Sequence, residues 1–471
     1  MNLTPEQQAI LNGEKGEVLA KVMKTLVMYG DAFGAEKLVP VTSKYGHTVI
    51  SFGINTMKPV YDLYDQLLAS GVKFQQKFTA DPLPLDPNVP SNLLQDLVFK
   101  QFMYKLQPRY EEQLRRMGMK DEKDFTCACY FDEVGNIPEK GEVLSWAESS
   151  AVVYANSVLG ARCNRNSGII DVMGSMLGYV PYFGLLTDEG RKATWVVEVK
   201  TTKKPEAQLL GSAIGMKVME DVPYIRGLDA WLGTELNKDN KAYLKDFGAA
   251  TASNGAVGLY HIEHLTPEAV EQGDALIAPG AQVYVVDDAE LERVVRTVRQ
   301  LVGPQVRVLV TSSVAGQGVD EVRACVPAGS CAMILGESGA GKATLLNALL
   351  GHEALETGDV RERDDAGRHT TVARVMVSLG HDAGVIADAP GLRSLPLVGH
   401  EQGLAKMFPE IVEAARACRF NDCTHTHEPG CAVCEGVEEG AIERIRLDEF
   451  LSLAREMRVS AQSLDPDIHL G

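Results

Sequence analysis

The sequence predicts an α/β protein in three consecutive parts. A long mixed α/β region comes first, then an α/β domain built around a phosphate-binding loop, then a small zinc-binding helical segment. Three observations carry this. An apolar run at 331–335 feeds the loop Gly336-Glu-Ser338-Gly339-Ala-Gly341-Lys342-Ala343-Thr344, which opens onto the apolar stretch 345–350. That is the strand–loop–helix setting in which backbone N–H groups cradle phosphates. Cysteine and histidine then gather in Cys418-Arg-Phe-Asn-Asp-Cys423-Thr-His425-Thr-His427-Glu-Pro-Gly-Cys431. Finally, the segments before residue 290 are long and mixed, with many Gly and Ser, whereas strand and helix alternate after it.

At 471 residues the chain has room for two or three domains, each with its own core. The expected divisions are 1–290, 291–405 and 406–471. A hydrophobic share of 45% with 23% charged residues describes a globular protein. No apolar run reaches membrane-spanning length, and the N-terminus lacks a basic-then-apolar leader, so a cytoplasmic setting is expected. There the nine cysteines would stay reduced and serve metals rather than pair. A net charge of −18 argues against broad electrostatic binding to RNA or DNA and leaves room for a local basic patch.

Element by element, Thr4-Pro5-Glu6-Gln7 reads as a helix start with a capping box. In the second half, 283–286 reads as a strand and 288–301 as a helix with Leu291, Val294, Val295 and Val298 on one face. Strands follow at 306–310 and 331–335, giving a parallel sheet. In the loop, Gly336, Ser338, Gly339 and Gly341 suit phosphate oxygens, and Lys342 suits the terminal phosphates. Position 343 normally carries the Ser or Thr that holds magnesium, but Ala343 has no side-chain oxygen. Thr344 points about 100° away around the helix. Farther on, Thr370 lies in Gly367-Arg-His-Thr-Thr, and an apolar strand at 385–387 leads into Asp388-Ala-Pro-Gly391. A carboxylate and a glycine there suit magnesium and a γ-phosphate sensor. Three cysteines and a histidine within fourteen residues suit a closed tetrahedral zinc site of Cys418, Cys423, His425 and Cys431. His427 and Cys434 are spare candidates, and a disulfide is the alternative.

The first half has its densest pattern in Phe125-Thr-Cys127-Ala-Cys129-Tyr130, Ser145-Trp-Ala-Glu148-Ser-Ser150 and Tyr154-Ala-Asn156-Ser-Val-Leu-Gly-Ala-Arg162-Cys163-Asn-Arg165. Thiolates such as Cys127 and Cys163 are the usual ligands of iron–sulfur clusters. Arg162 and Arg165, three apart, suit a carboxylate or phosphate. The plain alternative is small buried thiols and structural ion pairs.

These strings resemble the large subunit of the aconitase X family, together with Val134-Gly-Asn-Ile-Pro138, Lys44-Tyr-Gly-His47 and Ala252-Ser-Asn-Gly-Ala-Val-Gly258. The likeness runs nearly continuously over about 1–290. It implies an aconitase-like α/β fold and a hydro-lyase that dehydrates small hydroxy acids, such as hydroxyproline or phosphomevalonate. It implies Cys127 as a cluster or metal ligand and Cys163 as the mark of the iron–sulfur branch. Asn156, Arg162 and Arg165 would bind substrate, with Glu148 and His47 as further site residues. A small-subunit partner would bring a swivelling domain with a catalytic serine. The third family cysteine, in a Gly-Cys-Pro-His segment, has no counterpart here, and Cys129 stands where many members carry proline.

Residues from about 290 to 460 resemble the circularly permuted GTPase of small-ribosomal-subunit biogenesis (RsgA type). The carriers are Thr311-Ser-Ser-Val, the phosphate loop, Gly-Arg-His-Thr-Thr, Asp-Ala-Pro-Gly, Phe408-Pro-Glu-Ile and the cysteine–histidine string. The likeness implies GTP with magnesium, a zinc ion and the small ribosomal subunit. The guanine-reading Asn-Lys-x-Asp, due before the loop in this permuted order, is not found, nor is the family's N-terminal OB-fold. The chain therefore reads as a fusion of two incomplete modules. The competing readings are a nucleotide- and zinc-binding module without catalysis, and an inactive fusion product.

Overall fold

The computed structural model describes residues 1–49, 53–71, 73–83, 85, 96–121, 124–313, 316–336, 341–352, 376–380, 382–388, 401–420 and 423–464. Contacts divide the chain into two units. The first comprises Met1–Asp288 with Ser312–Gly391, and the second Ala289–Thr311 with Leu392–Gly471.

The first unit opens with the helix Pro5–Leu11, whose capping box forms in full between Thr4 and Gln7. Strands β1 (Leu38–Pro40) and β4 (Tyr179–Pro181) pair antiparallel, while β2 (Tyr45–Thr48) and β3 (Lys77–Ala80) pair parallel with His47 opposite Thr79. Met23, Leu26, Tyr61, Tyr64, Phe78, Leu114 and Met117 close a core around them. Next comes a four-stranded parallel sheet in the order β7 (His261–Ile262), β6 (Pro223–Arg226), β5 (Ala193–Lys200), β8 (Ile277–Asp287). The central β5 turns Ala193, Trp195, Val197 and Val199 to a buried face, while its other face carries Val196 among the polar Thr194, Glu198 and Lys200. The helices Ala207–Val218 and Lys238–Gly255 cross closely because Gly255 lacks a side chain. A Cβ there would lie only 1.9 Å from the Gly215 carbonyl oxygen.

The expected strand at 283–286 exists, but it is the end of β8, paired with β5 from Trp195↔Gln282 to Lys200↔Asp287. It thus belongs to the first sheet and not to the sheet of the phosphate loop. The helix after it runs Asp288–Val302. Leu291 and Val294 are buried, but Val298 is exposed. No strand forms at 306–310: the described backbone there is irregular and Val306 is 49% exposed. Its β-branched residues favour a strand, but a strand needs a neighbouring edge to pair with, and this segment has none among the described residues.

The phosphate-loop sheet has three described strands in the order β10 (Met376–Ser378), β11 (Val385–Asp388), β9 (Cys331–Ile334). One face packs Ala332, Ile334, Val377 and Ile386 against Leu346 and Leu349 of the helix Lys342–Leu350. The other face leaves Met333 and Met376 about two-thirds exposed, at 65% and 66%.

In the second unit, Phe408, Ile411, Val433, Ile442 and Leu447 form a small core. Arg446 is buried within it. It pairs with Glu410 at 2.7 Å, donates to the carbonyls of Leu301 and Met407, and lies 4.2 Å over the Phe408 ring. One guanidinium thereby ties the segment after β8 to the C-terminal helices.

Candidate functional sites

In the first unit a cleft of about 360 Å³ is lined by Ala147, Ser149, Arg165, Leu185, Ala256 and Gly258, among others. Gly258 has to be small, because a Cβ there would press on Leu185 and Arg165. Arg165 donates to the Ala256 carbonyl and keeps its guanidinium at the cleft. Arg162 is half-buried and turned to the Leu186 carbonyl (2.9 Å) and Asp188 (2.5 Å). The two arginines therefore do not converge on one ligand: one is held at Leu186 and Asp188, the other at Ala256.

Glu148 is fully buried and serves as the N-cap of the helix Ser149–Tyr154, accepting from Ala151 N at 2.6 Å and from Ser150 Oγ. Asn156 is also spent on the protein. Its amide donates to the carbonyls of Cys163 and Gly258, and its oxygen accepts from Cys163 N and Arg191. It holds the Cys163 turn in place.

His47, on β2, is wholly buried. Nδ1 lies 2.9 Å from Thr79 Oγ1 and Nε2 lies 3.4 Å from Asp81. Burial alone would lower its pKa, but the neighbouring Cys129 and Asp81 raise it well above the usual histidine value. Cys163 is buried under the Trp146 and Asn164 carbonyls, and burial pushes its thiol pKa well up. Cys127 is half-buried and Cys129 fully buried. Among the described residues these thiols belong to no set of three ligating groups with donor atoms within 4.8 Å of one another. Cys127, Cys129 and Cys163 are the thiols of this half that could serve an iron–sulfur cluster.

Two features escaped the sequence reading. Asp171 sits in the first turn of the helix Gly168–Leu177, wholly buried, and burial lifts its carboxyl pKa well above the usual range. Ser145 and Asn166 reach its Oδ1, while Oδ2 has no hydrogen-bond partner among the described residues. A lone Asp in an otherwise apolar helix was the available signal. Arg191 is 1% exposed and grips Glu268 through Nε at 2.8 and 3.0 Å, then reaches Asn156 and the Leu185 carbonyl. The two are 77 residues apart, so nothing local could have paired them. His261 beside them is driven down to about 4, chiefly by burial. A surface set, Asp229, Glu263 and His264, also brings its donors within 4.8 Å, but Arg226 already neutralises Glu263 at 3.2 Å.

At the phosphate loop, Gly341 adopts the left-handed conformation (φ +72°) that starts the helix Lys342–Leu350. Lys342 Nζ donates to the Gly336 carbonyl at 2.9 Å. Ala343 and Thr344 lie in the first turn. Register places Asp388 beside Ile334, so the ends of β11 and β9 meet where the loop begins. Ser338, Gly339, Thr370 and Gly391 lie outside the described residues.

The tetrad is compact. Cys418 Sγ lies 3.9 Å from Cys431 Sγ and 3.7 Å from His425 Nδ1, and Cys431 Sγ lies 3.5 Å from His425 Nδ1. Cys423 joins them, with all four donors within 4.8 Å. Tetrahedral zinc with bonds of about 2.3 Å to sulfur and 2.0–2.1 Å to nitrogen separates its ligands by about 3.8 Å (S to S) and 3.6 Å (S to N). The residues fit that ion. Burial would raise the Cys431 thiol, yet the Cys434 amide and His425 bring it down to about 6. At 3.9 Å the sulfurs of Cys418 and Cys431 stand well beyond the roughly 2.0 Å of a disulfide bond. His427 is exposed and bonded to Thr426, while the Cys434 thiol faces the His425 carbonyl.

The chain is similar to proteins of two families. Residues 1–189 match the family model "Aconitase X first domain", residues 193–296 "Aconitase X second domain" and residues 283–398 "RsgA GTPase". The phosphomevalonate dehydratase large subunit of Thermococcus kodakarensis is 34% identical over 298 residues, covering 62% of this chain and 69% of the relative. The small ribosomal subunit biogenesis GTPase RsgA of Methanosarcina acetivorans is 42% identical over 178 residues, covering 38% of this chain and 47% of the relative. The solved holo-form aconitase X of Thermococcus kodakaraensis superimposes with a TM-score of 0.53 at 28% identity, over 74% of this chain and 84% of that one. The chain spans 64% of the Methanocaldococcus jannaschii dehydratase subunit, and about half the length of its GTPase relatives.

Proposed function

The chain belongs to the aconitase X family, and from that premise we propose that its first half binds a small hydroxy acid through a carboxylate or phosphate held at Arg165. It joins an aconitase X region to an RsgA-type GTPase region. The working divisions remain 1–290, 291–405 and 406–471. The observation that carries the reading is the cleft in which Arg165 and Ser149, from the first matched domain, face Ala256 and Gly258 from the second. Asn156 holds the Gly258 carbonyl at its wall, Glu148 caps the helix that begins at Ser149, and His47 and Cys163 are buried. Phosphomevalonate, named for the relatives, is the first ligand to test. Calorimetry should detect its binding to the parent and not to Arg165→Ala. Equal binding by both would end the proposal.

Dehydration by the chain alone is not expected, since Cys127 and Cys163 supply two thiolates where an aconitase-type cluster takes three, and an open metal and a positioned base act as a unit. Anaerobic reconstitution with iron and sulfide, with and without an aconitase X small subunit, tests this. Turnover by the chain alone would point to Cys129 as a third ligand.

For the second half the proposal is a nucleotide- and zinc-binding module of cytoplasmic setting, with the small ribosomal subunit as its partner. Lys342 and the loop backbone serve the phosphates, whereas no Asn-Lys-x-Asp reads guanine. Where that motif is due, the chain runs Val285-Val-Asp-Asp288, and this stretch is committed to the first sheet. GTP, ATP and ITP should compete within a small factor of one another. A hundredfold preference for GTP, about 2.7 kcal/mol, would contradict this.

Hydrolysis should be very slow, because alanine at 343 supplies no oxygen to the magnesium ion that stabilises charge in phosphoryl transfer. Ala343→Ser should raise the single-turnover rate. If parent and variant hydrolyse GTP equally, residue 343 is not the limiting defect. This favours binding without catalysis as the second reading.

A further inference from the structure

We propose that Glu428 is a positioning residue for the metal tetrad, a role that rests on the zinc reading above. The loop 423–427 lies outside any helix or strand, so its N–H groups need acceptors from elsewhere. Glu428 supplies them. One oxygen accepts from Thr424 N at 2.9 Å and from the Thr424 hydroxyl. The other accepts from Thr426 N at 3.1 Å and His427 N at 3.2 Å, and lies 3.7 Å from Cys423 Sγ. These donors, the Thr424 hydroxyl first, hold the carboxyl far below the usual range.

The effect falls on His425. Its backbone is left-handed, with φ +58°, a conformation that side-chain-bearing residues adopt only when the surroundings impose it. Glu428 fixes the amides on either side of it, at 424 and at 426–427. The imidazole is thereby presented to Cys418 and Cys431 rather than to solvent. On the other side, the Cys434 thiol touches the His425 carbonyl at 3.4 Å. Both carboxylate oxygens are occupied by N–H and O–H donors, so Glu428 acts through the loop and not as a fifth ligand.

The test measures metal affinity in the full chain, by cobalt titration and by zinc competition with a chelator. The parent should bind one cobalt with thiolate charge-transfer absorption and a tetrahedral d–d spectrum. Glu428→Ala should weaken binding 10- to 100-fold, the range found when an outer-shell partner of a metal ligand is lost. At saturation its spectrum should be unchanged, because the three thiolates and the imidazole remain. Glu428→Gln keeps one acceptor oxygen and the side-chain shape, so its affinity should fall between the two. Cys434→Ser should match the parent. Affinities within twofold of the parent for both Glu428 variants would overturn the proposal while leaving the zinc reading intact. A parent that binds no cobalt or zinc would overturn both.

Discussion

Cys423→Ala should strip the metal from the chain and unfold its C-terminal segment. The core there rests on Phe408, Ile411, Val433, Ile442 and Leu447, with Cys431 buried among them and Cys418, Cys423 and Cys434 packed at its margin. A core this small rarely supplies more than about 3–5 kcal/mol by itself. A structural zinc contributes roughly 10–16 kcal/mol of apparent binding free energy at neutral pH, all of it available to the fold that forms the site. Removing one thiolate leaves an open, weakened site, so metal content should fall from about one zinc per chain to near zero. Thermal unfolding of the parent should show a transition that shifts down on chelation and is missing in the variant. Freshly purified parent without zinc, or a variant that melts like the parent, would defeat this.

Arg191→Ala should destabilise the first unit by about 3–5 kcal/mol, because it abandons a buried carboxylate. Glu268 is 6% exposed and its other cationic neighbour, Arg162, stands 4.0 Å away and is engaged with Asp188. The loss should spread to Asn156, which Arg191 holds at both its side-chain oxygen and its carbonyl, and so to the Cys163 turn. The paired replacement Arg191→Met with Glu268→Leu should recover much of the stability, since neither charge is then left alone in the interior. Urea unfolding followed by tryptophan fluorescence reads both variants; Trp146 is fully buried in this unit. A cost under about 1 kcal/mol for Arg191→Ala would mean that water or another cation reaches Glu268.

What could be read directly from the sequence was local in the chain. The capping box at Thr4 lies within four residues, the amphipathic helix at 288–302 within four turns, and the metal tetrad within fourteen residues. In each case the interacting groups are neighbours whatever the rest of the fold does, so spacing alone specifies them. Tertiary structure decided the contacts that span the chain. Glu148 and Asn156 have the residue types of a substrate site, but folding commits one to a helix cap and the other to the Cys163 turn. Arg191 finds Glu268 across 77 residues, and Asp171 loses its solvent only because β2 and Ser145 close over its helix. The apolar run at 283–286 is a strand in either half of a fusion. Which sheet receives it depends on where a free edge lies, and β5 offers that edge before the phosphate-loop sheet begins. Residue types and spacing thus determined the chemistry this chain has available, while burial and strand pairing, which are set at long range, decided which of those groups remain free to use it.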